Sequence, residues 1–192
     1  MAGNPLRGPF NAWVLETLDR EVGQRYEPIK RALLADAPRE VVEIGPGTGA
    51  NIRYLPAGTH LIAIEPNPHM HRRLRREAEA HGVSLEIRTV VGESIDLPDG
   101  SADLVFASLV LCTVENPAQV VAEARRVLRP GGRFVCIEHV QAPAGSLIRP
   151  LQRALRPGWR WVFEGCDLCR DTGAVLEAAG FAEVRREAIE VG

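Results

Sequence analysis

The chain has 192 residues, 45% of them hydrophobic and 25% charged, with a net charge of -2. That suffices for one domain with a substantial core, and the near-neutral balance argues against a nucleic-acid-binding surface. No apolar run is long enough to span a bilayer and no charged-then-apolar leader opens the chain, so a cytoplasmic protein without stable membrane insertion is expected.

In chain order, Phe10, Trp13, Val14, Thr17, Leu18 and Val22 recur at helical spacing and predict an amphipathic helix over 10–22. A second helix is expected over Glu27–Ala35, ending before Pro38. Then the texture changes to short apolar strands alternating with helices. The strands are Val41–Ile44, Leu61–Glu65, Leu85–Val91, Ala102–Ser108 and Arg133–His139. Between them fall helices over Asn51–Leu55, His69–His81 and Pro117–Leu128, the last stopped by Arg129-Pro130-Gly131-Gly132. Nearly all-apolar strands separated by helices predict a doubly wound α/β fold, its mostly parallel sheet covered on both faces.

Residues 143–171 break the alternation. A helical stretch over Leu147–Leu155 precedes Pro157-Gly158-Trp159, and the whole segment reads as an inserted lid. A last helix over Thr172–Ala179 and a strand from Phe181 to Val191 are expected to finish the chain. The expected division is an N-terminal helical cap (1–38), a cofactor-binding core (39–142), the lid (143–171) and the closing elements (172–192), all one domain.

Gly45, Gly47 and Gly49 follow the first strand and precede a helix, which puts them in the crevice outside the carboxyl ends of the strands. There the backbone turns tightly and comes close to a ligand. Gly45-x-Gly47-x-x-Ala50, with Glu65 twenty residues after Gly45, also satisfies the dinucleotide fingerprint. The loop by itself therefore leaves a nicotinamide enzyme and a methyltransferase both open.

Three further features separate them: Glu43 ahead of the loop, Gly92-Glu93-Ser94-x-x-Leu97-Pro98 after the third strand, and Leu128-Arg129-Pro130-Gly131-Gly132 before the fifth. With these, the chain resembles the class I S-adenosylmethionine-dependent methyltransferases from about Glu40 to His139, within the type-11, ubiquinone/menaquinone-methyltransferase-like superfamily. The resemblance implies a Rossmann-like methyltransferase fold and S-adenosylmethionine as cofactor, leaving as S-adenosylhomocysteine. It implies that Glu43 and the three glycines hold the methionine end, and that Glu65 with Pro66 takes the ribose. It also implies that Glu93 and the Ser94 backbone take the adenine, and that Leu109 and Val110 close the site.

Ser108-Leu109-Val110-Leu111-Cys112-Thr113-Val114, Glu138-His139-Val140 and Trp161–Arg170 narrow the resemblance to the branch of the alkyl thiol S-methyltransferases. This implies S-methylation of a small apolar thiol, with secondary metabolism as the setting. Methylation of carbon or oxygen on a quinol or polyketide-like ring is the competing enzymatic reading, and a cofactor-binding protein without catalysis the other. The vertebrate members carry a hydrophobic N-terminal anchor, which is not carried over to this chain. The chain ends just after the expected sixth strand, where the class returns with a seventh, antiparallel one; either the sequence is truncated there or the sheet edge is built differently.

A thiol, with a pKa near ~8.5, needs little help to ionise, whereas an alcohol or carbon acceptor needs a stronger base. His139, at the carboxyl end of the fifth strand, is the candidate base, unless its ring is held in a structural hydrogen bond. Glu138 is expected to alternate away into packing or a salt bridge. Trp159, Trp161 and Phe163 read either as an apolar roof over the substrate or as ordinary packing.

Cys112 and Cys136, in or beside strands, read as buried apolar fillers. Cys166-x-x-Cys169 finds no second CxxC or His pair, so no metal is expected. The basic run His71-Arg72-Arg73-Leu74-Arg75-Arg76 reads as a solvated helix face. Oligomeric state is open.

Overall fold

The computed structural model describes residues 26–163 and 165–188. The helix expected over 10–22 and the strand's last residues, 189–191, lie outside them. The described part of α1 covers residues 26–34. It is followed by β1 (Glu40–Ile44), a 3-10 turn (Ile52–Tyr54), β2 (His60–Ile64), α2 (Pro68–Ala80), β3 (Ser84–Arg88) and β4 (Ala102–Ser108). Then come α3 (Pro117–Val127), β5 (Leu128–Ile137), α4 (Ile148–Val162) and α5 (Thr172–Ala178).

The sheet runs β3-β2-β1-β4-β5 and every neighbouring pair is parallel. Strand order reverses between β1 and β4, so the crevice for a ligand opens at their carboxyl ends. Because side chains alternate along a strand, the chain fills two separate cores. Val41, Leu61, Ala63, Leu104 and Phe106 join Tyr26, Leu34 and Leu74 of α1 and α2 on one face. Val42, Ile44, Ile64, Val105 and Ala107 join Val120, Val121, Ala124 and Val127 of α3 on the other.

α2 and α3 begin alike, with an asparagine cap followed by proline. Asn67 accepts from the His69 N–H and Asn116 from the Gln119 N–H, while Pro68 and Pro117 have no N–H to leave unpaired. Each cap follows a strand or loop at the crevice side, so each helix start is fixed beside the site.

Several boundaries differ from those expected. The helix after the glycine loop is only the 3-10 turn, and β3 stops at Arg88 rather than Val91. β5 starts at Leu128, before the glycines rather than after them. Leu128 pairs with Ala102 and the register slips before Leu104, so the chain absorbs Pro130-Gly131-Gly132 as an irregularity at the strand's start. Gly131 takes φ +84, and a side chain on Gly132 would stand 3.0 Å from the Arg129 carbonyl. α4 passes through Pro157, where a break is expected, and continues to Val162. One proline removes a single intrahelical bond, and the last turn is secured by Phe163 N–H to the Trp159 carbonyl and Gly165 N–H to the Arg160 carbonyl. Residues 181–188 form no strand; Phe181 instead stacks on Phe134 at 6.1 Å. Among the described residues the sheet therefore has five strands.

Gly49, at φ +91, has no room for a methyl group: a Cβ would stand 3.1 Å from both Ile52 Cδ1 and Leu74 Cδ1. Gly49→Ala is expected to destabilise the fold by about 2–3 kcal/mol through overpacking and left-handed strain together. Gly58→Ala, at φ +83 in open space, should cost about 1 kcal/mol from strain alone. Urea unfolding of the two variants checks the difference.

Candidate active site

The glycine loop is built between β1 and the 3-10 turn. Gly45 takes φ +64, and Val110 closes on it so tightly that a Cβ would lie 2.6 Å from Val110 Cγ2. Gly47, at φ +58, has nothing within 4 Å on its Cβ side and so leaves space along the backbone. Glu65, just past β2 and buried, receives the Gly47 N–H on Oε2 at 3.0 Å and the Asn67 N–H on Oε1 at 2.8 Å. One carboxylate thus ties the loop to the cap of α2, and Pro66 lies between those two attachments.

Glu43 is 2% exposed. Its Oε1 accepts from Asn51 Nδ2 at 2.7 Å, while Asn51 Oδ1 is buried without a partner. Desolvation lifts the Glu43 carboxyl to about 7, against the Asn51 hydrogen bond and the charge of Lys30; the nearby Glu65 adds to the lift. Lys30, the only lysine of the chain, lies buried on α1, one turn from both Tyr26 and Leu34.

After β3 the chain passes tightly over β1: a Cβ on Gly92 would stand 2.8 Å from Ile44 Cγ2. Glu93 is half-buried and accepts from the Asn116 N–H at 3.4 Å, linking this loop to the cap of α3. Ser94 is exposed, and its N–H closes a turn on the Val91 carbonyl at 3.0 Å.

The loop after β4 is the most constrained part. Leu109 takes φ +60, the one described non-glycine residue in the left-handed region, at a cost of about 1–2 kcal/mol. Its N–H is held by the Ile137 carbonyl at 2.7 Å. From Val110 the chain makes one helical turn, with Thr113 and Val114 N–H both returning to the Val110 carbonyl. Glu138 caps its start: Oε1 accepts from Val110 and Leu111 N–H at 3.0 and 2.8 Å, and Oε2 from Cys112 N–H at 3.0 Å. Arg170 caps its end, donating to the Leu111 and Val114 carbonyls at 2.6 and 2.7 Å. An anion at the amino end and a cation at the carboxyl end both suit the dipole of the turn. Burial pushes the Glu138 carboxyl up, and the three amide donors resist it. Contrary to expectation, half-buried Glu138 forms no salt bridge among the described residues but holds three backbone amides: β5 ends at Ile137, and beyond it the side chain reaches across to the next loop.

His139 lies beyond the end of β5, half-buried. Its Nδ1 is 3.4 Å from Cys166 Sγ, which is 3.4 Å from Cys112 Sγ. Contact with the Cys112 sulfur and then with the imidazole draws the Cys166 thiol down against its burial, while the Cys112 thiol is pushed up. The Cys166 contact raises the His139 imidazole despite burial. Cys112 is thus one of three interacting groups rather than a filler. Cys136 does fit the filler role: half-buried, it packs on the α3 side of the sheet, and burial pushes its thiol to about 12. Cys166 meets Cys112 and His139 rather than Cys169.

The segment carrying Cys166 is pinned in place. Asp167 N–H donates to the Cys112 carbonyl at 2.8 Å, and its carboxylate holds Arg156 at 2.6 Å. Trp159 meets the His139 ring edge-on at 6.2 Å and Phe163 at 4.2 Å. Trp161 is 70% exposed. The structure thus gathers Glu43, the glycines, Glu65 and Val110 at one end, and His139, Trp159 and Phe163 at the other. Asn51, Cys112, Glu138, Cys166 and Arg170 were not among the expected site residues. For Glu138 and Cys112 a signal existed, since both follow strands at their carboxyl ends.

Residues 42–136 match the family model of the methyltransferase domain. Human thiol S-methyltransferase TMT1B is 36% identical over 195 residues, covering 95% of this chain and 80% of the relative. Human thiol S-methyltransferase TMT1A is 38% identical over 153 residues, covering 78% and 63%. Among solved structures, an S-adenosylmethionine-dependent methyltransferase of Thermotoga maritima, described as a possible histamine N-methyltransferase, shares the fold. Its TM-score is 0.63 at 22% identity, covering 91% of this chain and 80% of that one.

Two substitutions test the electrostatics described above. A carboxyl raised in the fold holds its proton where the unfolded chain has lost it, so stability falls as pH climbs from the ordinary glutamate value of 4.5 to about 7. Glu43→Gln should remove that slope, gaining up to about 3 kcal/mol relative to the parent by pH 8; urea unfolding across pH 5–8 measures it. Glu138→Gln leaves at least one amide without its acceptor and is expected to cost about 1–3 kcal/mol. Hydrogen exchange at Val110–Cys112 should accelerate locally.

Proposed function

We infer that this chain, which belongs to the S-adenosylmethionine-dependent methyltransferases, methylates the sulfur of small thiols. The observation that carries the reading is the 36% identity with a thiol S-methyltransferase over 95% of the chain. That span includes both the glycine loop and the Cys112–His139–Cys166 end of the crevice. Relatives that share only the cofactor half would not account for the second group.

The residues present fit the cofactor. Gly47 offers open space beside a left-handed backbone, Asn51 has an unpaired buried oxygen, and burial holds the Glu43 carboxyl above its usual range. When bound, S-adenosylmethionine supplies a methyl group on a positively charged sulfur. Glu43 and the glycines Gly45, Gly47 and Gly49 hold the methionine end, where positive charge returns the Glu43 carboxyl toward its ionised form. Glu65, which also holds the Gly47 and Asn67 N–H groups, takes the ribose hydroxyls beside Pro66. Glu93 accepts from the adenine amino group. The Ser94 N–H already closes a turn on Val91, so the carboxylate is the contact that needs no rearrangement. Leu109 and Val110 wall the methyl-bearing end.

At the acceptor end, Trp159 and Phe163 form an apolar wall that excludes water and aligns a small acceptor for in-line attack. Trp161, exposed on α4, is not part of that wall. An acceptor thiol gives up its proton near neutrality, and His139, held by Cys166, is the group beside the crevice that receives it.

Purified protein with methyl-labelled cofactor, offered thiols, phenols, amines and quinols, tests the reading. Label is expected on thiols, and His139→Ala should lower kcat about 100-fold with a smaller effect on KM. Label found only on oxygen or ring carbon would overturn the thiol assignment, and cofactor binding without turnover on any acceptor would overturn catalysis.

A further inference from the structure

The group Cys112, His139 and Cys166 has a geometry that proton transfer alone does not use. The two sulfurs are 3.4 Å apart, the Cys166 sulfur is 3.4 Å from the imidazole Nδ1, and all three donor atoms lie within 4.8 Å of one another. A zinc ion bonded to sulfur at about 2.3 Å and to nitrogen at about 2.0 Å spaces tetrahedral ligands about 3.5–3.8 Å apart. The two 3.4 Å separations match that spacing to within a few tenths of an ångström, the third lies within 4.8 Å, and both cysteines are buried.

The donors are also held in place by bonds of their own. Cys112 has its N–H on Glu138 and its carbonyl on Asp167 N–H. Cys166 has its N–H on the Phe163 carbonyl, and Asp167 beside it is fastened to Arg156. Three ligands from separate parts of the chain, the two cysteines each fixed by a further hydrogen bond and the imidazole packed against Trp159, make a preorganised set. Among the described residues no fourth Cys, His, Asp or Glu joins them. Three protein ligands and one open position is the pattern of a zinc site that works on a substrate, and sulfur with imidazole favours zinc over hard cations. The group borders the crevice: Cys112 is two residues from Val110, which presses on the glycine loop, and Trp159 packs against the His139 ring.

We propose that Cys112, His139 and Cys166 bind a zinc ion whose fourth position takes the acceptor sulfur. Metal binding stands on the geometry; the role given to it rests on the thiol reading. As the acceptor thiol enters the fourth position its S–H bond breaks and the proton leaves to solvent, so deprotonation passes from the imidazole to the metal. An electron pair on that sulfur then forms the new S–C bond while the bond from methyl to the donor sulfonium breaks. That pair stays on the donor sulfur, which becomes a neutral thioether. The methylated product is also a neutral thioether, a weak ligand that leaves the metal.

The full chain, reduced and stripped of metal by a chelator, is titrated with cobalt(II) as a spectroscopic probe and with zinc. One equivalent should bind, with tetrahedral cobalt bands and thiolate-to-cobalt charge transfer. The signal should be lost in Cys112→Ser, Cys166→Ser and His139→Ala and kept in Cys169→Ser, with circular dichroism confirming that each variant folds. Adding a small alkyl thiol should intensify the charge-transfer band, and zinc should restore thiol methylation to chelated enzyme. No cobalt charge transfer in the folded parent protein, or a signal that survives in all three ligand variants, overturns the site. Full thiol methylation by metal-free protein ends the zinc inference and leaves the thiol reading standing. Cobalt bound by the three residues with no thiol methylated upholds the site and ends the thiol role.

Discussion

The Glu138 carboxylate spreads its two oxygens over three consecutive backbone N–H groups, and much of the site depends on that contact. A loop leaving a parallel strand has no ladder to hold it, and its amides must find partners elsewhere. Glu138 provides them from the neighbouring strand's end, so the loop after β4 and the end of β5 become one unit. The strained Leu109 backbone is held between that anchor and the Ile137 carbonyl. Val110 is thereby set against Gly45, and Cys112 is turned toward Cys166 and His139. Arg170 completes the arrangement from the other end of the turn. One acid and one base on distant segments hold a single helical turn that could not persist alone.

The two halves of the crevice are built by different means. The cofactor end is a product of the sheet: Glu43 lies within β1 and Glu65 directly follows β2, so alternation puts both on the α1 and α2 face. Desolvation then lifts the Glu43 carboxyl to about 7, against its Asn51 hydrogen bond and the charge of Lys30. The acceptor end is a product of connections between loops. Its members come from after β4, after β5 and after α4, and they are joined by hydrogen bonds rather than by a strand ladder.

α4 shows how far that end stands from the main core. None of its residues is buried, and Ile148, Leu151 and Leu155 remain exposed along it. Its attachment is polar: Arg149 to Gln141, Gln152 to the Ala142 N–H and the Val140 carbonyl, and Arg156 to Asp167. These bonds fix the segment that carries Trp159 and Phe163 without committing it to either hydrophobic face. Among the described residues no helix is long and apolar enough to cross a membrane.

The sequence by itself determined the doubly wound fold, because alternation and apolar runs are local properties that survive any tertiary arrangement. It also located Gly45, Gly47, Glu65 and Glu93 just past strand ends, since those offsets are local. It misjudged what depends on partners far along the chain. Pro130-Gly131-Gly132 reads as a stop but becomes an irregular strand start, because Leu128 finds Ala102 to pair with. Pro157 reads as a break but is carried through by the bonds of the following turn. Phe181 reads as a strand start but stacks on Phe134 instead. Cys166 reads with Cys169 by spacing, yet its neighbours are Cys112, 54 residues away, and His139, 27 away. Only the tertiary structure could bring those three together, because no local pattern encodes where a loop is tied. Glu138 and Arg170 tie it.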